Sequence, residues 1–107
     1  MTDSEFQALA DAALAALEGS LEALDVDVDL QRTADGVLEL EFGDGSKMIV
    51  NRHAAAREIW VAAKAGGFHF RYEGGAWRDT RDGTELFAAL SRLVSAQSGR
   101  AVRLAPS

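Results

Sequence analysis

The stretch 21-LEALDVDVDL-30 contains the point at which the sequence changes from helical to strand periodicity. Before it, apolar residues recur at three- and four-residue spacing, which is typical of one face of a helix. From Val26 onward every second residue is apolar, and the residues between are aspartates, a pattern typical of a strand with one buried face. The chain is therefore expected to begin with an amphipathic helix and to continue into a sheet.

The first helix is predicted over residues 3–23. Thr2 and Glu5 match a capping box at its start. Its apolar face consists of Phe6, Leu9, Ala13, Leu17, Leu21 and Leu24. Acidic side chains occupy the opposite face, which indicates that one side packs against a core and the other contacts water.

Alternating apolar segments separated by turn residues predict the rest of the sheet. The predicted strands are 26–32, 37–42, 47–51, 58–63, 68–73 and 76–79. Because the connections are short, neighbouring strands are expected to pair antiparallel. The hydrophobic periodicity of residues 58–63 is compatible with either a helix or a strand, but the β-branched and aromatic residues of this segment favour a strand.

A second helix is predicted over residues 83–97, with Asp82 and Glu85 as a capping box and Gly99 as its stop. Residues 100–107 form a tail, expected to extend along the surface. Two helices cannot cover both faces of a six-stranded sheet, so both are expected on one face. The prediction is a single α+β domain over residues 1–107, a two-layer α-β sandwich with an antiparallel sheet.

Composition excludes several classes of function. The chain has 107 residues, 48% of them hydrophobic, and no cysteine, which excludes disulfides, thiolate ligands and a cysteine nucleophile. No apolar run approaches the length of a membrane span, and the N-terminus lacks the basic start of a signal peptide. We expect a soluble, intracellular protein without a membrane partner, and no catalytic constellation is visible.

Charge is distributed unevenly. Residues 1–31 contain eight acidic residues and no Lys or Arg, whereas all 11 basic residues follow Gln31. The acidic residues of this N-terminal segment would repel the phosphates of a nucleic acid, so nucleic acid is not an expected partner. Cations and basic proteins are the expected partners.

The acidic residues of the helix continue into those of the first strand. We call this series the acidic ridge; its members are Asp11, Glu18, Glu22, Asp25, Asp27 and Asp29. Carboxylates are hard ligands that suit Mg, Ca, Mn and Fe, and binding to an open row of them would be shallow and weak. The alternative is a solvated face whose charges protect an edge strand from aggregation.

Other residues are candidates for partner contact. Trp60 lies between Ile59 and Val61, and it faces either the open side of the sheet or the core, depending on the strand register. An exposed tryptophan would be a typical protein-contact anchor. Asn51, Arg52 and His53 are expected in a loop, where they shape a turn or contact a partner. His69 is expected on the open face, and two isolated histidines do not by themselves indicate a metal site.

Four segments together resemble the frataxin family, specifically its bacterial CyaY type. They are the N-terminal MTDSEFQALAD, then DGVLELEFGDGSKMIVNR, EIWVAAKAGGFHF and WRDTRDGTELFAAL. The resemblance extends over about residues 3–104, and the segments occur in the family's order and spacing.

The resemblance implies an α-β sandwich that binds Fe²⁺ and Fe³⁺ weakly and acts in iron–sulfur cluster assembly. It assigns iron to Glu18, Glu22, Asp25, Asp27 and Asp29, with Asp3 and Asp11 nearby. It implies a cysteine desulfurase and a scaffold protein as partners, and a location in the bacterial cytoplasm. The residues that it assigns to partner contact are Trp60, Asn51, Arg52, Glu18, Glu22 and Asp25.

The sequence departs from the resemblance at the ridge, where Gly19, Ala23 and Gln31 occupy positions at which relatives tend to carry acids. This thinned ridge is expected to reduce iron stoichiometry and iron-dependent oligomers more than it affects the partner surface, so we expect a monomer. Three hypotheses follow. The first is a non-enzymatic iron carrier or regulator of cluster assembly. The others are a metal-independent interaction module that modulates the desulfurase, and a ferroxidase.

Overall fold

The computed structural model describes residues 1–106 and contains two helices and six strands in the predicted order. The elements are α1 (Asp3–Glu22), β1 (Val28–Ala34), β2 (Val37–Phe42), β3 (Lys47–His53), β4 (Glu58–Ala63), β5 (Gly66–Glu73), β6 (Ala76–Asp79) and α2 (Leu86–Ser98). Three strands have the predicted bounds, while β1, β3 and β5 differ by two residues at one or both ends. None of the helices in these residues has the length and apolar character needed to cross a bilayer.

The six strands form one antiparallel meander in the order β1 to β6, so β1 and β6 are its edges. Alternate strand residues such as Leu38, Leu40 and Val50 are fully buried against α1 and α2. The residues between them lie on the other side, which we call the open face, and apart from the buried Glu58 they are half-buried or exposed. This arrangement confirms the predicted two-layer sandwich with both helices on one face.

The boundary between α1 and β1 differs from the prediction. Helix α1 begins with the predicted capping box and ends at Glu22, and β1 begins at Val28 rather than at residue 26. The helix ends where the Ala23 N–H bonds to the Gly19 carbonyl, and residues 23–27 connect it to the strand. Apolar and acidic residues alternate through this connection as they do in the strand, so periodicity could not locate the boundary.

Helix α2 begins at Leu86, three residues later than predicted. Glu85 is its N-cap, and the Glu85 carboxylate accepts the N–H groups of Phe87 (2.8 Å) and Ala88 (3.0 Å). Asp82 instead accepts the Thr84 N–H (2.9 Å) within the preceding turn, so the predicted capping box is wrong. Gly99 ends the helix in the left-handed conformation, with φ 75°, as predicted.

The C-terminal segment is anchored rather than simply extended along the surface. Leu104 is 4% exposed and packs into the core. Its N–H donates to the Ser91 hydroxyl (2.8 Å), and the Val102 N–H donates to the Ser95 hydroxyl (2.8 Å). The Ala105 N–H reaches Ser20 of α1 (3.1 Å), so the tail joins both helices. Residue 107 of the predicted tail lies outside the described residues.

Candidate acidic ridge and open-face site

Four members of the acidic ridge form a continuous exposed series. Glu22 is the last residue of α1, Asp25 and Asp27 lie in the connection, and Asp29 lies in β1. Across residues 1–106 none of these four carboxylates has a basic partner within ion-pair distance. We call them the unpaired quartet. The last turn of α1 carries no basic residue, so the partial negative charge of the helix C-terminus adds to theirs.

The other predicted metal ligands are held by arginines. Asp3 pairs with Arg57 at 2.8 Å. Asp11 pairs with Arg52, and Glu18 pairs with Arg32. Each of these carboxylates therefore has a neighbouring positive charge that competes with a cation. Within the described residues, the quartet is the part of the ridge at which no arginine or lysine side chain competes with a cation.

The quartet is an open surface rather than a cage. Among the residues that the structure describes, no three carboxylate or histidine side chains are grouped so as to hold one metal ion. The Asp27 carboxylate packs against Gly43 in the β2–β3 turn. A Cβ added at residue 43 would lie only 2.5 Å from Oδ2 of Asp27. Few ligands and full solvent access permit weak, exchangeable binding of a hard cation.

Glu41 of β2 extends this surface onto the sheet. It is the direct cross-strand partner of Asp29, and both residues are exposed. Like charges opposite each other destabilise a strand pair, and a bound cation would relieve that repulsion. The next outward pair is Gln31 with Glu39, and Glu39 is already neutralised by Lys47 at 3.5 Å.

The register of β4 settles which way Trp60 faces. Ile59 and Val61 are 0% and 1% exposed against the helices, so Trp60 lies on the open face. Its cross-strand partners are Asn51 of β3 and His69 of β5, which confirms the expected side for His69. Trp60 is half-buried rather than fully exposed.

Two imidazoles bury Trp60. The His53 ring stacks on the indole with 3.6 Å between ring centroids, and the His69 ring stacks at 4.5 Å. Both imidazoles are within 12° of the indole plane. These two contacts are unlike the edge-on aromatic contacts of the core, such as the one between Phe6 and Trp77.

Glu58 lies beneath this stack and is 6% exposed. Its carboxylate accepts the Trp60 indole N–H (2.9 Å) and a guanidinium N–H of Arg71 (2.7 Å). Burial raises the pKa of Glu58, but the hydrogen bonds from Trp60 and Arg71 and the nearby positive charge outweigh it and leave the pKa below its usual value. Glu58 is therefore a charged group that fixes the orientation of the indole.

Asn51, Arg52 and His53 lie in β3, not in the loop that the sequence predicted. Asn51 and His53 are on the open face beside Trp60 and Glu58. The Arg52 side chain is 13% exposed and forms ion pairs with Asp11 of α1 and Asp35 of the β1–β2 turn. Hydrogen bonds to Asp35 and Asp11 raise the pKa of Arg52, so it stays charged. The expected contact of Arg52 with a partner stays a prediction.

A family model described as the frataxin-like domain matches residues 1–100. The chain belongs to the frataxin family. It is 60% identical over 104 residues to the iron-sulfur cluster assembly protein CyaY of Dechloromonas aromatica, covering 97% of this chain and 99% of that protein.

Solved frataxins have the same fold as this frataxin. A frataxin from Psychromonas ingrahamii matches with a TM-score of 0.89 and 36% identity, covering 96% of this chain and 97% of that one. Trimeric yeast frataxin (Saccharomyces cerevisiae), complexed with ferrous iron, matches with a TM-score of 0.73 and 29% identity, covering 85% and 86%.

Sequence reasoning missed several residues of this frataxin's site. The alternation in β2 placed Glu41 outward but did not show that it faces Asp29, which depends on the hairpin register. Glu58 was not singled out, although its position two residues before Trp60 puts both on one face of a strand. The arginine pairs join residues far apart in sequence, and no local pattern indicates them.

Proposed function

We propose that this frataxin binds Fe²⁺ weakly at the unpaired quartet and supplies it to, or regulates, iron–sulfur cluster assembly. The observation that carries the proposal is a series of four carboxylates at a helix C-terminus, to none of which an arginine or lysine is paired within residues 1–106. Two comparisons support it: a 60% identical protein is named for cluster assembly, and yeast frataxin forms a complex with ferrous iron.

The chemistry of the quartet suits a carrier. Carboxylate oxygens bind Fe²⁺ and Fe³⁺ as hard ligands, and negative charges at Glu22, Asp25, Asp27 and Asp29 lower the local potential for any cation. Because the surface is open, water completes the coordination and the ion exchanges easily. Asp3, Asp11 and Glu18 belong to the outer part of this proposed site, since their arginines reduce the attraction.

The proposed partners are a cysteine desulfurase and a scaffold protein. A basic patch on the desulfurase would dock on the ridge around Glu18, Glu22 and Asp25, where charge complementarity favours fast association. The open face with Trp60 and Asn51 would contact a further partner, because a half-exposed aromatic on a flat sheet face is a typical anchor. Arg52 would support this face through its ion pairs.

The shallow geometry also favours a second candidate function. The described residues contain no three-ligand group, so the ridge serves equally well as a docking surface that recognises a basic protein without iron. In that case the frataxin modulates the desulfurase, and metal binding is incidental.

One experiment separates the two functions. The variant Asp25→Asn/Asp27→Asn/Asp29→Asn removes three charges at exposed positions, and calorimetry then measures Fe²⁺ binding and desulfurase binding separately. The carrier function predicts that both are weakened. Loss of desulfurase binding at unchanged iron affinity would leave only the interaction module.

A further inference from the structure

Both faces of the Trp60 indole are covered. Stacked rings approach to about 3.5–4 Å, so the 3.6 Å contact with His53 leaves no space for another group on that side. The 4.5 Å contact with His69 closes the second side with a parallel, slightly offset ring. A ring or guanidinium from a partner could stack flat on the indole only after an imidazole had moved away.

The indole also cannot rotate freely within the stack. Its N–H donates to the nearly buried carboxylate of Glu58, which also accepts from Arg71. The nitrogen side of the indole is therefore directed at Glu58 in the sheet. Because both ring faces are covered, a partner can contact only the other edges of the ring. The edge of an aromatic ring carries the positive part of its quadrupole, so it favours electron-rich groups.

The imidazoles provide donors beside these edges. His53 Nδ1 accepts the Ala56 N–H at 3.2 Å, which leaves the proton of the neutral ring on Nε2. His69 is half exposed, and its Nδ1 lies 3.9 Å from the Glu58 carboxylate. The charged groups facing the stack are Glu58 of β4, Arg71 of β5 and, beside His69, Arg81 of the loop after β6.

We propose that His53 and His69 determine which partner the open face accepts. The two imidazoles cover both faces of the Trp60 indole. A partner therefore meets the edges of three stacked rings, with ring N–H donors and the exposed guanidinium of Arg71 beside them. The occupant that fits is a protein segment rich in acceptors, with backbone carbonyls or carboxylates directed at the edge. A partner guanidinium or aromatic ring stacked flat on the indole does not fit. This inference rests on the proposed docking role of the open face.

The first test measures access to the indole faces without any partner. N-methylnicotinamide, a flat cationic quencher, is titrated against each protein, and the signal of Trp77 is subtracted with Trp60→Phe. His53→Ala or His69→Ala should raise the quenching constant of Trp60 about twofold or more, because one covered face becomes accessible. His53→Phe and His69→Phe restore the cover without a titratable group, so their quenching should match the wild type.

Comparing Ala and Phe at the same position separates cover of the indole from a general loosening of the fold, because both variants lose the imidazole and only the Ala variant uncovers a face of Trp60. Equal quenching of the Ala, Phe and wild-type proteins would overturn the shielding.

The second test measures binding to a purified desulfurase–scaffold complex by calorimetry at pH 8. The Phe variants keep the indole covered but lose the ring N–H donors, so they should bind more weakly than the wild type, and the Ala variants, which lose both cover and donors, should bind most weakly. If the wild type binds and the Ala variants bind equally well, the inference fails while the proposed function stands. If the wild type does not bind, the docking part of the proposed function fails.

Discussion

The Arg52 side chain joins α1 to the β1–β2 turn, and its removal should be costly. Arg52→Met keeps most of the aliphatic stem but loses the ion pairs to Asp11 and Asp35. The Asp11 and Asp35 side chains are 45% and 85% exposed, so solvent screening makes the second pair the weaker. We expect about 1 kcal/mol for the first pair and about 0.5 kcal/mol for the second.

Urea unfolding at pH 7, followed by circular dichroism, measures this loss. A total of about 1.5 kcal/mol corresponds to a fall in Tm of about 6–12 °C for a domain of this size. A double-mutant cycle with Asp11→Asn should give a coupling of about 1 kcal/mol between the two side chains. The matched control is Arg57→Met, whose partner Asp3 is 89% exposed and should contribute little.

One result would refute this reasoning. A coupling near zero would mean that Arg52 and Asp11 form an ordinary surface pair, despite the 13% exposure of the Arg52 side chain. The same variant also tests the predicted partner contact, which loss of desulfurase–scaffold binding by a folded Arg52→Met protein would support. Unchanged binding would confine Arg52 to a structural role.

Three further predictions concern stability. Gly19→Ala should stabilise the protein by about 1 kcal/mol, because the residue is exposed within α1 and an added Cβ meets nothing within 4 Å; thermal unfolding checks this. Leu104→Ala should cost about 2–4 kcal/mol in urea unfolding, since a buried side chain is lost and the tail detaches; an unchanged midpoint would mean that the tail is not anchored. Glu58→Gln should cost about 1–2 kcal/mol at pH 7, because a nearly buried charge-assisted network is broken. The lowered pKa of Glu58 means that its contribution to stability is fully present above the ordinary glutamate pKa and is lost as pH falls through the lowered pKa, so the variant should lose less stability than the wild type on acidification.

The fold was predictable because the hydrophobic period changes at identifiable places. The alternation of Leu38, Leu40 and Phe42 against Glu39 and Glu41 gave both the strand and its buried side. The ends of helices and strands were less predictable where a connecting segment or a turn has the same residue pattern as the neighbouring strand or helix start. Val26 lies in a connection yet continues the alternation of β1, and Asp82 has the chemistry of a cap but caps a turn.

The site was only partly predictable, because most of it depends on pairings between distant elements. The four residues of the unpaired quartet lie close together in sequence, so the local pattern of charges was enough to include them in the acidic ridge. Arg32, Arg52 and Arg57 reduce the ridge by pairing with Glu18, Asp11 and Asp3, and these contacts exist only in the tertiary structure. The same holds for the stack, since His53, Trp60 and His69 come from three adjacent strands.

The distinction between paired and unpaired carboxylates can be tested with two variants of equal charge. One is Asp25→Asn/Asp27→Asn/Asp29→Asn, and the other is Asp3→Asn/Asp11→Asn/Glu18→Gln. Each removes three negative charges, so long-range electrostatic effects on a cation are similar. Circular dichroism first establishes that both are folded, and anaerobic calorimetry then measures Fe²⁺ affinity.

The first variant should lose most of its Fe²⁺ affinity and the second should retain most of it, because arginines already compete at Asp3, Asp11 and Glu18. Equal losses in the two variants would contradict a site at the unpaired quartet, since they would mean that the whole ridge attracts iron through net charge alone. A larger loss in the second variant would place the iron site at the paired carboxylates instead.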